Sequence, residues 1–380
     1  MSSQYVYATT NTITGQLLAS SLPITAQNMT RTISMAGTFT GYLTLAQTVA
    51  TEVLNTWIGA VEPYKSVLWC LQDGQPIWNG PVTGWPHQSI LDGTLPLTAG
   101  TMEAIFQARQ IQDTLTFTDQ DVFTIFRALA QYAMGQEYGQ IAGLVLGSSL
   151  SGITDTVTFD GSQLQKVYDA WTWMVSAYDI EYSFRPGITP GGTLLTYLDL
   201  GYPQLGRPLA ATGLQMLFPS TRVFDYAYPR VAQAGPANDV VATAATSTTT
   251  YTSHAPHGQV TSELEDGYPL LQDSISLTGM TEASQALTNA LADETAAQES
   301  ISAMATPVVK LGADATPKVS QVELGDGMEF AATSVLHPAR PGSNAPGLQV
   351  TGRISSWTLY PPGDQQTEAT WYTLGQVEAA

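Results

Sequence analysis

The sequence predicts a mainly β fold interrupted by an α/β insertion, and three observations carry that expectation. Short segments rich in Thr, Tyr, Val and Ile, broken by Gly and Pro, run from residue 4 to about 45. Two stretches with apolar residues at helical spacing lie together between about 118 and 178. Strand-turn-strand patterning resumes from 207 onward. A chain of 380 residues is too long for one ordinary core and suits two or three domains, which we delimit at 1–115 (β), 116–206 (α/β insertion) and 207–380 (β, with a helix near 281–305).

Taken in order, QYVYATT, GQLLASSLPI, RTISMAGTF and TGYLTLA each fit a strand, punctuated by Gly15, Pro23, Gly37 and Gly41. Residues 46–60 place Val49, Val53, Leu54 and Trp57 at helical spacing, and SVLWCLQ, IWNGPVTGW and LPLTAGTM return to strands. In FTDQDVFTIFRALAQYAMGQ, Thr118 is the expected N-cap with Asp121 three residues on. Val122, Ile125, Phe126, Leu129 and Ala133 form its apolar face and Gly135 its stop. FDGSQLQKVYDAWTWMVSAYD repeats the pattern through Leu164, Val167, Tyr168, Trp171, Val175 and Tyr178. DIEYSF then alternates, with Ile180, Tyr182 and Phe184 on one side, before RPGITPGG turns into TLLTYLDLG. After 207, one helical pattern sets Leu287, Ala290, Ala297, Ile301 and Met304 on a face and ends before Pro307, while 242–258 is expected to be a flexible loop. No solenoid-type repeat is present.

Charged residues make up only 12 % of the chain, about half the usual ~25 %. With 32 acidic against 13 basic residues the net charge is −19, and no Lys/Arg run supplies the counterion-releasing stripe that DNA binding requires. An acidic wall does, however, keep a passing polyanion hydrated and mobile. Cys70 is the single cysteine, which excludes an intrachain disulfide and a zinc knuckle. The N-terminus lacks the pattern of a signal peptide and no apolar run approaches the ~18 residues of a membrane span, so we expect neither export by that route nor a membrane anchor.

Trp78 and Trp85 in DGQPIWNGPVTGW raise the question of a sugar-stacking platform, but tryptophan on a half-buried strand is more often packing, and the glycines with Pro81 favour a bent hairpin. Glycosidase chemistry needs two facing carboxylates; Glu263, Glu265, Asp266 and Asp326 sit in no such motif, ELEDG being expected as a solvated turn and LGDG as a hairpin end. His254 and His257 form an H-x-x-H pair in a Pro- and Thr-rich loop, with only His87 and His337 left as further imidazoles, so a loop is favoured over a zinc site. GSSLSG at 147–152 lacks the context of a nucleophile elbow, and phosphate-loop and dinucleotide fingerprints are missing. Cys70, inside an apolar strand, is expected to be an inert buried thiol. No catalytic, cofactor-binding or metal-binding residue is therefore assigned.

The order of the segments resembles minor tail proteins from phages of actinobacteria. TNTITGQLLASSLPI followed by TRTISMAGTFTGYLTLA resembles the opening of that family, and SVLWCLQDGQPIWNGPVTGW its hairpin with a D-G turn and a W-x-G step. MEAIFQARQIQDTLTFTDQDVFTIFRALAQYA is similar to the next segment, with Arg109 as its basic residue, while VELGDGMEF and LQVTGRISSWTLYPPGDQQTEATWYTL resemble its closing strands.

The resemblance implies a tail hub: a homotrimer below the tail tube in which two tube-type β-barrel domains per protomer make a pseudo-sixfold ring. It further implies a virion tail-tip location after assembly in the host cytoplasm, and no cofactor. Implied partners are a distal tail protein, the tape-measure protein and other tail-tip proteins, with DNA only in transit. Gly37, Trp78, Gly80 and Arg353 become framework residues, and the chain is expected to end about where the hub core ends. The alternative functions are a tail-associated cell-wall hydrolase and a carbohydrate-binding, receptor-recognising protein that uses Trp78 and Trp85.

Overall fold

The computed structural model describes residues 3–45, 50–86, 93–220, 222–227, 237–245, 249–254, 257–265, 267, 269–278, 284–299, 307–313, 315–339, 345–363 and 367–376. The chain divides into two compact units: Met1–Asp225 with Val309–Val377, and Tyr226–Val308 with the last three residues.

In the first unit the N-terminal strands are β1 (Tyr5–Asn11), β2 (Leu17–Ala19), β3 (Ile24–Thr32) and β4 (Thr38–Thr44). Helix α1 (Thr51–Gly59) precedes β5 (Ser66–Gln72), β6 (Gln75–Gly84) and β7 (Thr94–Gly100). The third expected strand lies earlier than RTISMAGTF: β3 ends at Thr32, and Ser34 adopts positive φ as the chain turns into β4. Helix α1 begins at Thr51 and buries none of its residues, while Val49 lies outside the described residues.

The next segment holds α2 (Glu103–Phe106), β8 (Leu115–Asp121), α3 (Val122–Gly135), β9 (Leu144–Val145), β10 (Thr154–Phe159), α4 (Val167–Tyr178), β11 (Glu181–Ile188) and β12 (Leu194–Gly201). Thr118 does not cap α3. It lies in β8, which pairs antiparallel with β10, and the helix starts four residues later. Asp121 is the cap, accepting from the Phe123 N–H at 2.9 Å with one carboxylate oxygen. The other oxygen accepts from Ser151 N–H, Ser151 O–H and Gly152 N–H, each at 2.9 Å, which ties the 147–152 loop to the helix start. The apolar face of α3 is as expected, and Trp171 of α4 stacks on Phe126 at 4.7 Å while donating its indole N–H to the Phe126 carbonyl at 3.0 Å. Leu164 stands ahead of α4 in the left-handed region and is half exposed, so the buried stripe is Val167, Ala170, Trp171 and Met174. Ile180, Tyr182 and Phe184 all point into the core.

After α5 (Leu209–Thr212) come β13 (Leu214–Phe218) and β14 (Val223–Ala227). The second unit contains β15 (Asp239–Ala245), β16 (Thr250–Thr252), α6 (Thr261–Glu265), β17 (Gln272–Thr278) and α7 (Gln285–Glu299). The expected loop at 242–258 is therefore partly a strand pair, Thr243–Ala245 against Thr250–Thr252. The buried line of α7 is Thr288, Ala292 and Ala296, four residues apart, whereas Leu287 and Ala290 face solvent; Ile301 and Met304 lie outside the described residues. Small side chains on that line let the helix sit close to β15, a constraint that apolar counting does not register.

Strands β18 (Val308–Gly312), β19 (Gly327–Ala332), β20 (Leu348–Tyr360) and β21 (Ala369–Gln376) complete the chain. A 13-stranded sheet runs β14-β18-β21-β20-β3-β4-β7-β6-β5-β1-β2, with β13 and β19 branching from β20. Pairing is antiparallel in the described registers except for the parallel β13–β19 pair. Strand β20 is the junction, pairing with β19, β21 and β3, so N-terminal and C-terminal segments share one sheet. Among the described residues this path is open at β2 and β14, and no barrel closes. No helix among them is long and apolar enough to cross a membrane.

Candidate functional site

Strands β5 and β6 form the hairpin singled out from sequence. Gln72 pairs with Gln75 across a two-residue turn, and Asp73 and Gly74 have φ of 52° and 80°. That is the conformation an Asp-Gly hairpin turn adopts because its twist matches the flanking strands. Trp78 lies opposite Cys70 and is fully buried, tilted on Phe39 at 5.5 Å, with its indole N–H donated to the Thr30 carbonyl at 3.0 Å. A sugar has no access to it. Trp85 is half-buried and donates to the Val61 carbonyl at 3.1 Å. Burial pushes the Cys70 thiol well up, away from the thiolate that nucleophilic chemistry needs.

Backbones approach closely beside this hairpin. A Cβ on Gly80 would overlap the Gly100 carbonyl oxygen, and one on Gly37 would overlap the Thr30 carbonyl oxygen, the group that accepts from Trp78. Only glycine fits at either position without a shift of the sheet.

A second constellation gathers charged groups. Arg353 on β20 grips Glu181 on β11 with two bonds of 2.7 and 2.8 Å, and Glu181 also accepts from the Leu205 N–H at 2.7 Å. Asp326 has a fully buried side chain that accepts from the Arg207 N–H and Nε at 3.0 Å, Arg207 Nη2 at 2.5 Å and the Glu323 N–H at 3.0 Å. Burial would raise its pKa, but these bonds outweigh burial and hold it below the usual carboxylate range. LGDG is thus a buried turn and not a hairpin end. Gly206 and Gly325, both at positive φ, pack backbone to backbone and bring the two partners together.

Arg185 pairs with Asp199 at 2.6 Å, and buried Arg31 donates to the Ser183 hydroxyl and the Phe184 carbonyl at 2.9 and 2.8 Å. These groups border a cavity of about 250 Å³ lined by Ser183, Asp199, Arg207, Glu323 and Asp326, and a smaller one of about 40 Å³ at Arg31, Arg185 and Glu323. Asp326, locked ionised by a guanidinium fork, cannot serve as a general acid. The arrangement pairs cations with carboxylates.

Glu103 was not singled out from sequence. It opens α2 fully buried, with one carboxyl oxygen unpartnered, as is the hydroxyl of buried Tyr182. Burial pushes its carboxyl up to about 7, against smaller opposing effects of Thr101 and Arg31. Between the ordinary glutamate value and 7 the native state keeps a proton that the unfolded chain releases, so this residue lowers stability progressively as pH rises through that window. At ~1.4 kcal/mol per pKa unit the loss reaches roughly 3 kcal/mol by pH 8. Glu103→Gln, which mimics the protonated form, is expected to gain stability relative to wild type by about that amount between pH 5 and pH 8 in urea denaturation. An equal variant-minus-wild-type difference at both pH values would refute this.

The remaining sequence candidates do not converge. His257 pairs through Nδ1 with Asp293 at 2.9 Å on the surface of the second unit, and Asp293 also accepts from the Gly258 N–H at 2.6 Å. Glu265 is exposed at the end of short helix α6, which replaces the expected turn; Glu263 contributes its backbone to the same helix. His87 and Asp266 lie outside the described residues, and His337 follows β19. Ser149 and Ser151 are loop anchors, bonded to Arg127 and Asp121. Among the described residues no group of His, Cys, Asp and Glu could hold a metal ion.

The charge pairs had weak sequence signals: Gly206-Arg207 and Gly325-Asp326 are two glycines each followed by an opposite charge, and Arg31 is a lone cation in a Thr-rich strand. No protein-family model and no curated protein matches the sequence significantly. The fold, however, is shared with solved tail proteins. A tail protein from Neisseria meningitidis superposes with a TM-score of 0.56 at 10 % identity, over 98 % of this chain and 96 % of its own. The 43 kDa tail protein of prophage MuSo2 from Shewanella oneidensis gives 0.56 at 12 % identity over 98 % of both chains. A prophage tail protein from Listeria monocytogenes gives 0.52 at 10 % identity, over 97 % and 94 %.

Proposed function

We propose that the protein is a structural component of a virion: a trimeric tail hub at the distal end of the tail tube, joining tube to tip and forming part of the channel for genome passage. The observation that supports this best is the shared fold over nearly the full length of three tail proteins. In this reading 1–115 and 207–380 supply tube-type barrels completed by neighbouring copies, and 116–206 is an insertion. The distal tail protein and the tape-measure protein are its neighbours, and DNA touches it only in transit. Gly37, Trp78, Gly80 and Arg353 maintain the frame, and no bond is made or broken.

The net charge of −19 suits a lumen to which phosphate does not adhere, and a surface poor in Lys and Glu suits large permanent interfaces. The open path between β2 and β14 leaves edges that a ring of identical copies would cover. Light scattering on the purified chain, alone and with tail partners, is expected to give three copies per particle. A monomer that persists with every partner overturns the proposal.

A further inference from the structure

The α/β segment carries an aromatic group that the chain's own fold leaves exposed. Of the eight tryptophans, Trp173 alone is exposed, showing 45 % of its surface. It lies on α4 two residues beyond Trp171, so the same helix buries one indole and presents the other. Phe159 meets it at 6.0 Å with an interplanar angle of 86°, and Tyr178 at 5.7 Å with 82°. Both contacts are perpendicular. They restrain the ring, yet neither neighbour lies flat over one of its faces.

Two carboxylates are connected to this ring, one through Tyr178 and one along the helix. The Tyr178 hydroxyl donates to Asp155 Oδ2 at 2.7 Å, and the Thr156 N–H donates to Asp155 Oδ1 at 2.6 Å, so the carboxylate is oriented while each oxygen keeps a lone pair. Asp169 is exposed one helical turn before Trp173, at the i, i+4 spacing that makes helix residues neighbours. Among the described residues neither aspartate is in an ion pair.

An apolar protein surface laid on Trp173 would strip water from two carboxylates without replacing their hydrogen bonds. A nucleobase would bring phosphate toward the same charges. A pyranose offers the complement: a face of polarised C–H groups for the negative face of the indole, and a rim of hydroxyl donors for the carboxylates. We propose that Trp173, with Asp155 held by its neighbour Tyr178 and Asp169 one helical turn away, forms a carbohydrate-binding subsite for a single sugar ring of a glycan chain.

The test uses the full chain, titrated with N,N′-diacetylchitobiose, cellobiose and maltose and followed by isothermal titration calorimetry. At least one disaccharide is expected to give a saturable change with a millimolar Kd. Trp173→Ala should abolish it, Trp173→Tyr should keep it, and Asp155→Asn should weaken it by about tenfold, with unchanged near-ultraviolet circular dichroism showing that each variant is folded. No response in wild type up to about 20 mM sugar overturns the proposal. So does a response that survives Trp173→Ala, or a response to choline chloride without one to any sugar. If Trp173→Ala instead lowers the oligomeric mass, the ring belongs to a self-contact and the proposal also fails; a failure of the hub reading would leave the sugar titration unaffected.

Discussion

Arg207→Ala is expected to cost about 3–5 kcal/mol, because it leaves the Asp326 carboxylate fully buried with backbone N–H groups but no counter-charge. The reverse change is gentler. Arg207 is about half exposed, so without its partner the guanidinium rehydrates, and Asp326→Asn keeps the shape of the acceptor. The two substitutions are coupled, and the double variant should lose less than the sum of the singles in a double-mutant cycle by urea denaturation. The pH dependence follows from the depressed pKa of Asp326. The stability that the pair contributes is fully present above the ordinary aspartate value and is lost as pH falls through the lower native value, so the gap between wild type and Arg207→Ala closes in acid. A loss of less than about 1 kcal/mol at neutral pH would show that the buried turn does not depend on this pair.

Trp78→Ala should cost a similar amount, about 3–5 kcal/mol, through the cavity left by a fully buried indole. The Thr30 carbonyl also loses its indole donor, in a region where Gly37 and Gly80 already leave no slack. Trp78→Phe retains most of the packing and isolates the hydrogen bond, at about 1–2 kcal/mol. Chemical denaturation of the three proteins separates these contributions. A stable Trp78→Ala chain would contradict the assignment of this hairpin to the core.

The mainly β character and the helix faces were legible in the sequence because they are local and periodic: SVLWCLQ is β5 to the residue, and the α3 face from Val122 to Ala133 is buried as spaced. Boundaries failed where a tertiary partner decides the backbone. FTDQD continues β8 because β10, some 35 residues away, supplies its hydrogen bonds, and Asp121 rather than Thr118 becomes the cap. The α7 face failed because alanines, and not the larger Leu287, permit close approach. Of the framework candidates, Gly37 and Gly80 were marked by the motif, while the reason they must be glycine depends on carbonyls from distant strands. Glu103 and the Arg207–Asp326 pair left little trace, since a buried charge and a surface charge are spelled alike.

The three-way pairing of β20 has a consequence for biosynthesis. Thr32 faces Ser356, so β3 waits until β20 has left the ribosome before one flank is covered. Such a distant closure predicts slow consolidation and a nascent chain that depends on chaperone shielding until β20 emerges.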